Sequence, residues 1–263
     1  MSARPIITLT TDYGLRDYYV GALKGAMLSI NPDLVIVDAA HLVTGHDVLE
    51  AAFVLHGFYR SFPKGTIHLA VVDPGVGGPR RPVLMESRDH SFIGPDNGIF
   101  SFVSQDERIE RAWHLTATRY FAAGVSDTFH GRDIFGPVAA HLASGVEPRW
   151  LGQEITDFTR LQLPEVKTAG NRIAGLVVYV DGFGNLVTNI GAELLAPAAG
   201  RQLRVTAGKA VIAGLSQGYG AVPPGAPLAV VGSLQTLEIS VNKGSAAAAL
   251  GLARGAAVLV EIL

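Results

Sequence analysis

The chain contains no cysteine. That absence excludes disulfides, zinc thiolate sites and a cysteine nucleophile. An excess of charge of either sign is missing too. Its 21 Lys and Arg stand against 23 Asp and Glu, for a net charge of −2, so no basic field exists to hold a nucleic acid. No apolar run approaches the roughly 20 residues that span a bilayer. The opening residues, MSARPIITLTTDYG, pass from one arginine into a strand-like segment, without the apolar stretch and small-residue cleavage site of a signal peptide. These absences predict a soluble cytoplasmic protein with neither a nucleic-acid nor a membrane partner. Dinucleotide and P-loop fingerprints are also lacking. The stretch DPGVGG over 73–78 has neither the G-x-G-x-x-G spacing nor a following Lys-Ser/Thr.

Apolar residues make up 48% of the 263 residues and charged residues 17%, which describes a well-buried globular protein. The first part alternates strands with helices. Residues 6–10, 34–37 and 66–72 read as apolar strands. Val20, Leu23, Met27 and Ile30 recur at helical spacing until Asn31-Pro32 stops them. Helices are also predicted over 47–58 and 133–143, and a hairpin-rich section over 83–98. Fully apolar strands in strand–helix–strand order predict a mostly parallel sheet flanked by helices, an α/β domain over 1–162. After a linker at 163–170 come short β-rich runs separated by Gly- and Pro-rich turns. They predict a smaller all-β, barrel-like domain over 171–263, with a short helix at 246–250 capped by Ser245.

Ligands of open α/β sheets bind beyond the carboxyl ends of the strands. Three strands end in aspartates, at Asp12, Asp38 and Asp73, and these carboxylates are expected to converge on one edge. Each alone also fits a turn cap. His130, in the run TFHGRD just before a helix, is a better site candidate than an isolated histidine. The other histidines show no ligand spacing with it, and no metal is expected. Asp181-Gly182-Phe183-Gly184-Asn185 reads either as a glycine-rich hairpin or as a ring beside an amide, suited to stacking on a purine and reading its edge. Tyr219 offers a second face for such a stack.

Taken in order, TTDYGLRDYYVGALKG, VVDPGVGGPRRP, IGPDNG, TFHGRD, DGFGNLVTNI and GSLQTLEISVNKGSAA resemble the S-adenosylmethionine hydroxide adenosyltransferase family, which is related to fluorinase and chlorinase. The likeness runs from about Pro5 to Leu263. It implies hydrolysis of S-adenosyl-L-methionine to adenosine and L-methionine, by attack of activated water at the ribose 5′ carbon and without a cofactor. It assigns Asp73, Arg80 and His130 to positioning and activating that water. Asp12 would hold the ribose hydroxyls, and Asp17 and Asp181 the methionine ammonium group. Ser233 would contact the amino-acid end, Phe183 and Tyr219 would surround adenine, and Asn185 would meet its edge. It also implies a homotrimer, each site lying between the N-terminal domain of one subunit and the C-terminal domain of the next.

The resemblance has departures. The halogenases have a tyrosine where this chain has Asp73, and a serine or glycine where it has Gly131. A fluorinase arginine that binds the methionine carboxylate corresponds to Leu234 here, which leaves backbone amides near Ser233 for that role. A fluorinase tryptophan near the ribose falls at His46. The sulfonium leaves as a neutral thioether and needs no general acid, so the difficulty lies in the nucleophile. Arg80 would keep Asp73 ionised and His130 would orient water or carry its proton; which of the three is the base stays open. A halogenase is the less favoured alternative because of Asp73. A sensor that binds S-adenosylmethionine or adenosine without turning it over is the other.

Overall fold

Isoleucine and threonine dominate Ile6–Thr11, and their branched Cβ atoms favour an extended chain. This segment is β1, buried along nearly all its length. The computed structural model describes residues 4–196 and 202–263. The chain divides into two units after Leu161, and β1 lies inside the sheet of the first. There it is followed by α1 (Tyr19–Ile30), β2 (Val35–Ala40), α2 (Val48–Phe58), β3 (Ile67–Val71), β4 (Pro82–Glu86), β5 (Ser91–Pro95), α3 (Ser101–Asp106), β6 (Arg111–Leu115), α4 (Gly136–Ala143) and β7 (Gly152–Ile155). The strand order is β2-β1-β3-β5-β4-β6-β7. β2, β1, β3 and β5 are parallel, and β4, β6 and β7 extend the sheet antiparallel. The helix-flanked α/β sheet expected from the sequence is present.

Alternation along β3 divides its side chains between two cores. Leu69 and Val71 pack with Leu23 and Met27 of α1 and Val138 of α4. Ala70, with Val72 just beyond the strand, packs with Ala51 and Leu55 of α2 and Val103 of α3. Both faces are therefore covered, which is why the strands lack polar alternation. Each buried Val or Leu contributes about 1.5–3 kcal/mol. His68 is a core residue, bonded to Thr8 Oγ1 at 2.8 Å through Nδ1. Burial, together with the charge of His90, pushes its pKa down to about 3.

The structure differs from expectation at β2. That strand runs through Asp38 to Ala40, and Asp38 accepts from Lys24 Nζ at 2.6 Å and pairs with His41 Nε2 at 2.9 Å. A lysine on the neighbouring helix claims this carboxylate, so it does not join Asp12 and Asp73. The Asp96-Asn97-Gly98 turn leads from β5 toward α3, an element that sequence patterning does not reveal.

The second unit contains β8 (Lys167–Ala169), β9 (Arg172–Val180), β10 (Leu186–Gly191), α5 (Ala192–Leu195), β11 (Leu203–Ala207), β12 (Ala210–Ala213), β13 (Pro227–Val231), β14 (Thr236–Val241), α6 (Ala246–Leu250) and β15 (Ala257–Ile262). Every pairing is antiparallel, in the order β12-β11-β15-β9-β10-β14-β13, with β8 against β9. Ser216 N–H, just after β12, donates to Ala229 O of β13 at 2.7 Å, so the sheet nearly closes into the predicted barrel. Ser245 caps α6 by accepting from Ala248 N–H at 3.1 Å. Among the described residues no helix is long and apolar enough to cross a membrane.

One glycine fixes how two loops of the first unit meet. Gly77 has φ +75, and a Cβ there would fall onto the Asp127 carbonyl oxygen. The loop after β3 and the loop before α4 thus touch backbone to backbone at this point. Gly77→Ala is expected to cost about 1–2 kcal/mol for the left-handed backbone, plus the work of separating the loops. A lowered melting midpoint and reduced activity check this together.

Candidate active site

The carboxyl ends of β1 and β3 open into a cavity of about 390 Å³, where an open α/β sheet places its ligand. Asp12, Tyr13, His46, Asp73, His130 and Gly131 are among its lining residues. Four stretches supply them: the turn after β1, the loop between β2 and α2, the loop after β3, and the segment that leads into α4.

Asp73 follows β3. The chain then turns through Val76 N–H to Asp73 O at 3.2 Å and Gly78 N–H to Gly75 O at 3.0 Å, which returns Arg80 to the aspartate. Arg80 Nε donates to Asp73 Oδ1 at 3.0 Å and Oδ2 at 2.8 Å, and Nη2 also donates to Oδ2. The same Nη2 donates to His130 Nδ1 at 2.6 Å. Arg80 and Asp73 side chains are only 10% and 5% exposed, and the guanidinium lies 5.2 Å from the Phe135 ring centroid. Gly75 leaves room for this return, since a Cβ there would stand 3.2 Å from Arg80 Cγ.

An arginine has no acceptor atom, so the bond from Nη2 requires an unprotonated Nδ1 on His130. Neutral His130 then carries its proton on Nε2. Burial, followed by the positive charge of Arg80, pushes its pKa below the usual histidine value, against the opposing charges of Asp73, Asp133 and Asp127. The ring is a hydrogen-bond donor through Nε2 at neutral pH.

His130 is held from behind. It precedes a π-helical turn, Gly131–Phe135, that runs into α4. Asp133 in that turn is buried and accepts from Ser126 N–H at 2.9 Å, Ser126 Oγ at 2.7 Å and Arg132 Nε at 2.6 Å. Burial pushes the Asp133 pKa up, but the bonds from Arg132 and Ser126 outweigh it and the net shift is downward. The turn after β1 is pinned in a similar way. Tyr13 N–H donates to Thr11 Oγ1 at 3.2 Å, Thr11 Oγ1 meets His41 Nδ1 at 2.8 Å, and Gly14 N–H donates to His41 O at 2.7 Å. Asp12 Oδ2 accepts from His46 N–H at 2.9 Å, a residue whose φ is +66.

The structure thus brings Asp12, Asp73, Arg80 and His130 together, with His46 beside them. Asp17 is exposed on the segment before α1 and is not among the cavity's lining residues. The remaining expected residues belong to the second unit. Asp181 closes the turn after β9: its Oδ1 accepts from Phe183 N–H and Asn185 N–H, both at 2.9 Å, and its Oδ2 from Asn185 Nδ2 at 2.8 Å. That turn leaves Phe183 81% exposed and Asn185 buried. Tyr219 O–H donates to the buried Glu238 at 2.7 Å. Burial and that bond push the tyrosine up to about 12. Ser233 is exposed in the turn between β13 and β14. Sequence reasoning missed Glu238, whose one signal is a carboxylate in the middle of an apolar strand. It also missed Tyr13, which simply follows Asp12. Among the described residues no three His, Cys, Asp or Glu side chains form a group that could hold a metal ion.

Comparison with known proteins shows the family. Residues 7–152 match the model of the SAM hydroxide adenosyltransferase N-terminal domain, and residues 175–259 match its C-terminal domain. The chain is 40% identical over 260 residues to an (R)-S-adenosyl-L-methionine hydrolase of Thermus thermophilus, covering 96% of this chain and 97% of that one. It is 29% identical over 216 residues to a fluorinase of an Actinoplanes species, covering 72% of each. A crystal structure of an uncharacterized conserved protein from Thermotoga maritima superposes with a TM-score of 0.92 at 33% identity, covering 97% of this chain and 99% of that one. The chain belongs to the SAM hydroxide adenosyltransferase family.

Proposed function

We propose that this protein hydrolyses S-adenosyl-L-methionine to adenosine and L-methionine, using Asp73, Arg80 and His130 to present water to the ribose 5′ carbon. The observation that carries the proposal is Arg80 bridging Asp73 and His130 at the edge of the cavity. Water oxygen bonds to the 5′ carbon as the carbon–sulfur bond breaks. The bonding pair passes to sulfur, which leaves as the neutral thioether of methionine. The proton released from water goes to Asp73 and then to solvent. Asp73 is the acceptor of the trio, because Arg80 can only donate and His130 presents Nε2–H. His130 orients the water by donating to it.

Substrate cation and incipient hydroxide cancel charge in the transition state, and a site screened from solvent favours that cancellation. Asp12 is assigned to the ribose hydroxyls. Asp17 and Asp181 are assigned to the methionine ammonium group and Ser233 to the amino-acid end. Phe183 and Tyr219 are assigned to the adenine faces and Asn185 to its edge. Phe183 stands exposed and ready to stack, on a turn that Asp181 holds. With Leu234 where an arginine would be, the methionine carboxylate falls to backbone amides near Ser233. We further propose a homotrimer with sites between subunits; exposed Leu15, Tyr18 and Leu42 of the first unit offer apolar surface for a neighbour. A cysteine-free chain suits the cytoplasm. No cofactor enters this scheme.

Three expectations follow from these roles. Purified protein given S-adenosyl-L-methionine should form adenosine and methionine, followed by chromatography. With chloride added, adenosine should remain the main product over 5′-chloro-5′-deoxyadenosine. No adenosine above a protein-free control would favour the sensor, and equal chlorinated product would favour the halogenase. Asp73→Asn should lower kcat by roughly 100-fold or more.

The pH profile should reflect neutral His130. Its pKa is shifted down, so the active form persists as pH falls past the ordinary histidine value of about 6.5. Activity should then fall through a limb below that value, and His130→Gln should remove the limb. A limb centred above about 6.5, or one untouched by the substitution, contradicts the tautomer argument. Phe183→Ala should raise KM roughly 5- to 150-fold, matching the 1–3 kcal/mol of base stacking, with little change in kcat. An unchanged KM would remove Phe183 from the adenine site.

A further inference from the structure

Tyr13 lines the same cavity as Asp73 and His130, yet the roles assigned so far do not use it. Its ring is wedged edge-on against Phe129, 5.6 Å between centroids, and beside Tyr19 at 5.8 Å. This packing restrains the ring. Its hydroxyl lies against the backbone of Gly131, so close that a Cβ on Gly131 would collide with it. The hydroxyl therefore occupies the space that a side chain at 131 would fill. Among the described residues it makes no hydrogen bond. It is not among the polar atoms that are both fully buried and unpartnered, so the oxygen keeps some exposed surface. Burial, then the negative charges of Asp12 and Asp73, push its pKa above the usual tyrosine value. The group is a neutral phenol whose oxygen can accept.

A water about to attack carbon must aim one lone pair at that carbon and hold its two hydrogens elsewhere. Asp73 accepts one. The His130 nitrogen left open is Nε2, which donates and so occupies the other lone pair. Asp12 is assigned to the ribose. An acceptor for the second hydrogen is still required, and the phenol oxygen, fixed beside Gly131 and without a hydrogen bond among the described residues, offers one in the wall of the same cavity. We propose that Tyr13 accepts the second hydrogen of the nucleophilic water, completing a tetrahedral set in which the remaining lone pair faces the 5′ carbon. The inference rests on the hydrolase reading. It assigns a catalytic contact to Tyr13 and a spatial one to Gly131, whose missing side chain makes room for the hydroxyl. Tyr13 passes no proton on: Asp73 takes the one that is released, and the hydrogen facing Tyr13 stays on the product oxygen.

Tyr13→Phe removes one oxygen and keeps the wedge. In the full-length protein it should lower kcat on the order of tenfold, the loss of one hydrogen bond in the transition state. KM and the melting midpoint should be little changed. A second pair of variants tests the location. With the hydroxyl gone, a Cβ at 131 would meet Tyr13 Cζ at 3.2 Å, a tight contact that small shifts relieve. Tyr13→Phe with Gly131→Ser puts a hydroxyl back into that space and should recover part of the lost kcat; Tyr13→Phe with Gly131→Ala should not. Tyr13→Phe turning over like wild type overturns the inference, as does recovery by alanine equal to that by serine. An inactive wild-type protein would instead defeat the hydrolase reading itself, so the two failures are told apart.

Discussion

One guanidinium sets the state of everything around it. Arg80 touches both Asp73 and His130, and each contact imposes a condition. The carboxylate receives a guanidinium that donates to both of its oxygens. The imidazole receives a donor that forbids a proton on Nδ1. A buried ion pair is weak evidence for stability, because desolvation offsets much of its Coulomb attraction. Here its effect is definition: it fixes a tautomer and a direction in three side chains that come from two separate loops. Phe135 against the guanidinium face and Gly75 against its stem keep the arginine from swinging away.

The fold supplies these loops with rigid anchors. β1 and β3 are adjacent parallel strands, so the residues after them leave the sheet side by side. Each exit is then tied down by groups that do no chemistry. Thr11 and His41 hold the turn carrying Asp12 and Tyr13. Ser126 and Asp133 hold the segment carrying His130. Gly77 brings the loop of Asp73 and Arg80 into backbone contact with Asp127. Reacting groups held by packed neighbours lose little entropy on reaching the transition state, and this positioning is a large share of what such a site can supply.

The architecture was legible because burial leaves a plain trace in composition. Strands covered on both faces read as apolar runs, and the capping serine at 245 marks its helix. The short strands β6 and β7, and the six-residue α3, left no such trace, since so few residues carry no clear period. Within the site, Asp12 and Asp73 were legible as strand-end carboxylates, but Asp38 shows the same signature. Only Lys24 and His41, brought to it through space, distinguish it. The pairing of Arg80 with His130 was reachable through family likeness alone, because no local rule links residues fifty apart. Tyr13 and Glu238 escaped because an aromatic after an aspartate and a carboxylate inside a strand each have common structural explanations.

The chemistry also accounts for where polar groups are concentrated. A sulfonium needs no help to leave, so nothing in the proposed scheme is assigned to protonate or polarise the departing sulfur. In that scheme Asp73, Arg80 and His130 gather at the opposite end of the reaction, around the nucleophile. With Asp73 and Arg80 nearly cancelling and His130 neutral, that end carries little net charge. A neutral water can enter without electrostatic penalty. A halide must approach a carboxylate, and two unit negative charges about 4 Å apart repel by about 4 kcal/mol at an effective dielectric near 20. Arg80 offsets part of that repulsion, but its Nε and Nη2 already face Asp73 and His130 and not the entering anion. In the proposed scheme, a preference for water over halide rests on the carboxylate that an entering anion would have to approach.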